Sequence, residues 1–291
     1  MQAISQTSSM RGWGSGLIGV IIFSASLPAT RIAVTGFEPV FLTSARAVIA
    51  AILGVILLAL LKQSRPKAKD VPPLLIVAFG VVVGFPLLTA MALQYITAGH
   101  SIIFIGLLPL TTAIFGVLRG GETPKPMFWV FSGFGGLAVA AYALSQDAQI
   151  SVQGDLLMVG AITVCGLGYA EGATLSRRMG GWQVISWALV LSLPIMAAIA
   201  IVALPNSWSG ISPAAWISLG YVSIFSMLVG FVFWYRGLAL GGIAGVGQLQ
   251  LLQPFFGLML AALLLGEAIA PSMVAVTLFV VSCVVGAKRF A

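Results

Sequence analysis

Apolar positions along this chain fall in long unbroken runs, with the polar residues collected between them. A bilayer demands runs of about 20 apolar residues that close their backbone hydrogen bonds internally. Ten such runs can be traced, at about 13–34, 39–61, 72–94, 100–118, 127–144, 156–175, 182–204, 214–235, 241–265 and 271–287. Pro39 and the pair Pro72 and Pro73 open runs, at helix starts where a missing amide does no harm. The joints are too short to hold a soluble domain. The expected fold is therefore an all-α integral membrane protein with ten transmembrane helices. Residues 1–12 are polar and read as a short disordered cytoplasmic tail, with no secretory cleavage pattern.

The pattern also occurs twice. Leu93 pairs with Leu238, Leu107 with Leu252, Pro109 with Pro254, Gly121 with Gly266 and Glu122 with Glu267, all 145 residues apart. One offset across several elements implies two structural repeats. They are read as residues 13–145 and 156–291, joined by a linker at 146–155. Because each holds five spans, an odd number, the second enters the membrane from the opposite side, and the two five-helix repeats are inverted.

Charge sets the orientation. Lys and Arg accumulate in cytoplasmic loops, and a cytoplasmic N-terminus puts twelve of the fourteen cations inside, with Arg31 and Arg46 the exceptions. Both termini are then cytoplasmic. Composition agrees, with 60% of residues hydrophobic and 7% charged, against about a quarter charged in a soluble domain. The net charge of +7 thus reports membrane orientation, and no nucleic acid partner is expected. Cys165 and Cys283 lie inside apolar runs and read as packing residues. No phosphate loop, metal-ligand cluster or nucleophile-base set is present, so no cofactor, no metal and no enzymatic activity are expected.

Leu27-Pro28-Ala29-Thr30-Arg31, then Arg46-Ala47, and the paired segments Pro109…Gly121-Glu122 and Pro254…Gly266-Glu267 together resemble the EamA family of the drug/metabolite transporter superfamily. The resemblance covers both repeats. It implies a bacterial inner-membrane secondary transporter of small metabolites, most like exporters of aromatic and other neutral amino acids. It further implies alternating access and a central cavity lined by spans one, three, four, six, eight and nine. Arg119-Gly120-Gly121 departs from Leu264-Leu265-Gly266 and makes the first hinge more polar.

Polar groups at membrane depth are costly and are the first candidates for a site. Gln248, Gln250 and Gln253 precede Pro254; at 100° per residue Gln250 and Gln253 share a helical face and Gln248 lies nearly opposite Gln250. Amides suit both ends of a zwitterion, while interhelical hydrogen bonding is the competing role. Gln253 is favoured for the cavity, because Pro254 should leave a nearby carbonyl free. His100 is either an interfacial histidine held by a loop carbonyl or a proton-sensitive gate. Trp234 and Tyr235 form an aromatic belt at the cytoplasmic interface, or stack on an aromatic substrate.

Tyr169 and Glu171, toward the cytoplasmic end of the sixth span, are substrate-binding candidates, with pairing to Arg177 or Arg178 as the structural alternative for Glu171. Arg46 needs a partner such as a helix C-terminal carbonyl and is read as fixing helix packing. Glu122 and Glu267 are read as caps tying span four to five and nine to ten, with proton coupling as the alternative. Pro28, Pro109 and Pro254 are helix hinges. A small-molecule substrate and the lipid bilayer are the expected partners, with a monomer as the working oligomeric state. Rival readings are a multidrug or nucleotide-precursor carrier, or a non-transporting membrane enzyme or assembly subunit.

Overall fold

The computed structural model describes residues 2–92, 95–96, 98–145, 151–265 and 271–291, and these are helical with no strand among them. The order is α1 (Gln2–Ser24), α2 (Ser26–Ala33), α3 (Pro39–Leu60), a 3₁₀ turn at Ala68–Asp70, α4 (Val71–Val77) and α5 (Phe85–Ala92). There follow α6 (Ala98–Gly120), α7 (Pro126–Leu144), α8 (Val152–Met179), α9 (Gly181–Val202), α10 (Pro213–Tyr221) and α11 (Gly230–Gly241). Last come α12 (Ile243–Gly247), a 3₁₀ turn at Gln248–Leu252, α13 (Gln253–Leu265) and α14 (Pro271–Phe290). Seven of the described helices are long and apolar enough to cross a membrane. Two shorter apolar helices, Phe104–Gly120 and Pro126–Tyr142, occupy the fourth and fifth runs.

Helix starts follow from local chemistry. The Glu38 carboxylate accepts from the amides of Val40 and Phe41 while Pro39 supplies a pre-set φ, so α3 begins without orphan donors. Ser212 does the same for Ala215, ahead of Pro213, and Ser151 for Gly154. Turns at the other end of the bundle use Gly121, Gly180 and Gly242 at φ of +67°, +92° and +93°.

Two expected boundaries move. Residues 2–12 continue α1 instead of forming a disordered tail, because proline and glycine are absent before Gly12. Residues 152–155 of the expected linker are the first turn of α8; 146–150 lie outside the described residues.

The third and eighth apolar runs share a feature that apolar periodicity does not signal. Ala78–Gly84 joins α4 to α5 as a π-helical turn, and Val222–Val229 joins α10 to α11 in the same way. In the first, the Phe85 amide donates to Gly80; in the second, the Gly230 amide donates to Phe225. Both are five-residue hydrogen bonds, and they are related by the same 145-residue offset as the sequence repeat. Such turns interrupt helices at functional sites more often than elsewhere.

The halves meet through glycine. α1 lies along α11, with Gly12 and Gly16 facing Gly237 and Gly241; a Cβ on Gly12 would sit 2.4 Å from the Gly241 nitrogen, and one on Gly237 2.6 Å from that of Gly16. Small residues spaced by four allow such backbone contact, which in lipid must come from packing because no hydrophobic effect operates between helices there. α8 makes the matching contact with the first π turn, where a Cβ on Gly80 would lie 2.4 Å from the Val164 carbonyl.

A Gly237→Val substitution must separate α1 from α11 and is expected to destabilise the fold by about 1–3 kcal/mol, the usual range for overpacking. Gly14→Ala, which meets nothing within 4 Å, should leave stability unchanged. Thermal unfolding of the two purified variants in detergent checks the contrast.

Candidate functional site

The ninth run breaks where Pro254 requires it. Pro254 has no amide to offer Gln250, and its ring crowds that residue's carbonyl. The chain therefore tightens into the Gln248–Leu252 turn, and the Gln253 amide donates to Gln250 oxygen. That corrects two expectations. At the 120° per residue of a 3₁₀ turn, Gln248 and Gln250 are no longer on opposite faces, and both are buried, at 0% and 1% exposed. The carbonyl expected to be free beside Gln253 is taken by that residue's own amide, and Gln253 is only half-buried.

Around this turn four elements converge. Gln250 Nε2 donates to the Tyr169 hydroxyl of α8 at 3.2 Å. The Tyr169 ring meets Trp234 of α11 edge-on at 5.5 Å between centroids and Phe231 at 6.1 Å. Phe23 of α1 closes the set, 5.1 Å from Phe231 and 6.3 Å from Trp234.

Trp234 and Tyr235 are fully buried. The interfacial belt is thus corrected: glycines on neighbouring helices admit both rings to the interior. Gly16 lets α1 approach Trp234, and a Cβ on Gly172 would lie 2.2 Å from the Tyr235 ring. The Tyr235 hydroxyl donates to Gly168 oxygen at 3.3 Å.

The cluster's hydrogen-bonding capacity exceeds its partners. Trp234 Nε1, both amide atoms of Gln248 and Gln250 Oε1 are buried without a hydrogen bond. Buried polar groups are normally satisfied, and each orphan costs about 1–3 kcal/mol. Such a site offers flat apolar walls, a donor-only indole and amides that both give and accept. None of these side chains carries a formal charge.

A second assembly lies at the end of the bundle that gathers the cations. Glu171, 5% exposed, pairs with Arg119 and not with Arg177 or Arg178. Those two lie six and seven residues further along the same helix, about 9–10 Å away, whereas Arg119 reaches across from the end of α6. Arg177 Nη2 instead meets Glu122 at 3.0 Å, and Arg178 Nη1 lies 2.9 Å from Asp70. Gln63 and Gln183 join through their side-chain amides.

Glu122 also departs from expectation. Its oxygens accept from the amides of Ile243 at 2.6 Å and Ala244 at 2.7 Å, so it caps α12 across the repeat boundary instead of the helix that follows it. The positive φ of Gly121 turns the chain there, and Gly116 lets α6 close on Ile243. A cavity of about 400 Å³ adjoins this latch, lined by Trp13, Glu122, Gly242 and Lys288 among others. Lys288 Nζ sits 4.5 Å over the Trp13 ring.

The prolines behave differently from one another. The first span is interrupted at Ala25, beside the Ser24 carbonyl that the Pro28 ring would crowd. α6 runs unbroken through Pro109, so the expected hinge there is not a break in the helix. His100 belongs to α6, but its side chain, like all of Glu267, lies outside the described residues. Phe23, Phe231, Arg119 and Asp70 were not singled out from sequence; only the polar Arg119-Gly120-Gly121 departure hinted at one of them.

A model of the EamA-like transporter family matches residues 10–144 and again 152–287. A Bacillus subtilis (strain 168) protein named uncharacterized transporter YdeK is 62% identical over 280 residues, 96% of this chain and 98% of that one. A probable terminal-alkyne amino-acid exporter of Streptantibioticus cattleyicolor is 23% identical over 267 residues, 88% of this chain and 86% of its own. A solved structure described only as a crystal structure of a protein superimposes with a TM-score of 0.82 at 16% identity, covering 96% of this chain and 99% of that one. That likeness shows the shared fold.

Glu122→Ala removes a cap and a charge from the start of α12 and is expected to cost about 1–2 kcal/mol. Arg177→Ala, whose side chain is 38% exposed, should cost under about 1 kcal/mol. Comparing the thermal unfolding midpoints of both variants with Glu122→Gln separates capping from charge pairing.

Proposed function

We propose that this chain, which belongs to the EamA-like transporter family, is an inner-membrane secondary transporter that exports neutral amino acids, aromatic ones included, by alternating access. In this reading ten spans form two inverted five-helix repeats, both termini are cytoplasmic, and the substrate site lies between the repeats. The observation that carries the proposal is the uncharged cluster of Gln250, Tyr169 and Trp234, whose orphan donors and acceptors are buried among aromatic rings. A zwitterion with an apolar side chain matches that chemistry: amides and hydroxyl for its charged ends, rings for its side chain.

Three further observations support it. The paired π turns give each repeat an equivalent irregular segment, as expected where two halves exchange conformations. Transport by population shift needs a barrier on either side of the site, and the bonds from Glu122 to the amides of α12 tie the repeats together at the cationic end. That end is taken as cytoplasmic because it gathers Arg119, Arg177, Arg178 and Lys288. The distant relative named as an amino-acid exporter points to the same substrate class.

Counterflow in proteoliposomes tests the reading. Labelled phenylalanine, threonine or methionine should accumulate faster than in empty vesicles, and uptake no faster than that sinks the amino-acid assignment. Trp234→Ala and Gln250→Ala are each expected to weaken phenylalanine uptake by about tenfold or more, the effect of removing an aromatic wall or a buried hydrogen-bonding partner.

A further inference from the structure

α3 holds a cation, Arg46, that has no ion-pair partner among the described residues. Arg46 lies seven residues into the helix, about 10 Å from its start. Its flanking residues are committed to apolar packing: Leu42 and Ala45 with Ala215, Leu219 and Val222 on one side, Ala47, Ala50 and Ala51 in the main core on the other. The Arg46 Nε is buried and makes no hydrogen bond. Among the described residues no carboxylate pairs with its guanidinium, and the helix C-terminal carbonyl expected as its partner is not supplied.

Four of the described carboxylates are already engaged. Glu38 caps α3 itself, Asp70 meets Arg178, Glu122 meets Arg177 and the amides of α12, and Glu171 meets Arg119. An arginine without a carboxylate partner inside a membrane span is costly and is by default a functional candidate. A second orphan of the same kind lies on a packed neighbour: Thr89 Oγ1 of α5, a helix in contact with α3, is buried without a partner. The second π turn also packs on α3.

We infer that Arg46 is the carboxylate-binding residue of the transport pathway. The inference rests on the reading above, in that the carboxylate is the substrate's. The guanidinium fork matches two carboxylate oxygens, which a lone ammonium does not. It also supplies what the aromatic cluster lacks, since Gln250, Tyr169 and Trp234 carry no positive charge.

The test is ligand binding to the purified full chain, followed by thermal stabilisation. The probes are phenylalanine, 3-phenylpropionate (a carboxylate without the ammonium) and phenethylamine (an ammonium without the carboxylate). Wild type should bind the first two; Arg46→Gln should weaken both by about tenfold or more and leave phenethylamine unchanged. Equal binding of 3-phenylpropionate by wild type and Arg46→Gln overturns the inference, as does failure of wild type to bind either carboxylate. Stabilisation by chloride or phosphate that depends on Arg46, without any by 3-phenylpropionate, also overturns it and makes the residue a holder of an inorganic ion.

Should Arg46→Gln not fold, wild type alone decides. Phenylglyoxal modification of Arg46, mapped by mass spectrometry, should be slowed by 3-phenylpropionate and not by phenethylamine; absence of protection counts against the assignment. Amino-acid counterflow that survives Arg46→Gln unchanged rejects this inference alone. Arg46-dependent binding of 3-phenylpropionate without amino-acid counterflow rejects the amino-acid reading alone.

Discussion

Backbone-to-backbone contact between α1 and α11 is the constraint on which the rest of this architecture depends. Lipid surrounds the helices with a medium as apolar as their own side chains, so association must come from fit and not from water exclusion. Gly12, Gly16, Gly237 and Gly241 supply that fit by bringing backbone against backbone at Gly12–Gly241 and Gly16–Gly237. With the helices this close, Phe23 of α1 reaches Phe231 and Trp234 of α11, and these rings in turn frame Tyr169 and Gln250. The aromatic enclosure is thus a downstream result of glycine spacing.

Charge does a different job. The described ion pairs lie at one end, and each joins segments distant in sequence: Arg119 to Glu171, Glu122 to Arg177, Asp70 to Arg178. Exposed arginines in such pairs contribute little stability individually. Their value is in placement, because they and the capping bonds from Glu122 fasten the α6–α7 junction and the start of α4 to α8 and α12. The interior cluster, by contrast, relies on uncharged groups, where a charge would carry a far larger desolvation cost.

Much of this was legible in the sequence, and the failures have physical causes. Long apolar runs disclose helices because a bilayer leaves no other way to satisfy the backbone. The duplication was readable because Pro109 and Pro254, like Gly121 and Gly266, keep one spacing. Gln250 and Tyr169 stood out simply as polar groups at depth.

What stayed hidden was tertiary. Which arginine reaches Glu171 depends on how α6 lies against α8, and no periodicity encodes that. Glu122 was assigned to its neighbour in sequence because the turn at Gly121 that carries it to Ile243 has no signature beyond the glycine. Trp234 looked interfacial because a tryptophan near a span end usually is; the glycines that draw it inward belong to another helix. The face assignment for Gln248 failed because Pro254 changes the helical pitch before it.

The matched π turns also speak to ancestry. A π turn amounts to one residue more than the helix needs, and here the extra residue is accommodated by the same hydrogen bond in both halves, Phe85 to Gly80 and Gly230 to Phe225. A single insertion before the gene segment doubled accounts for both copies, whereas two later insertions would have had to strike the same position independently. The irregularity thus belongs to the repeat unit itself, at the same place in both copies.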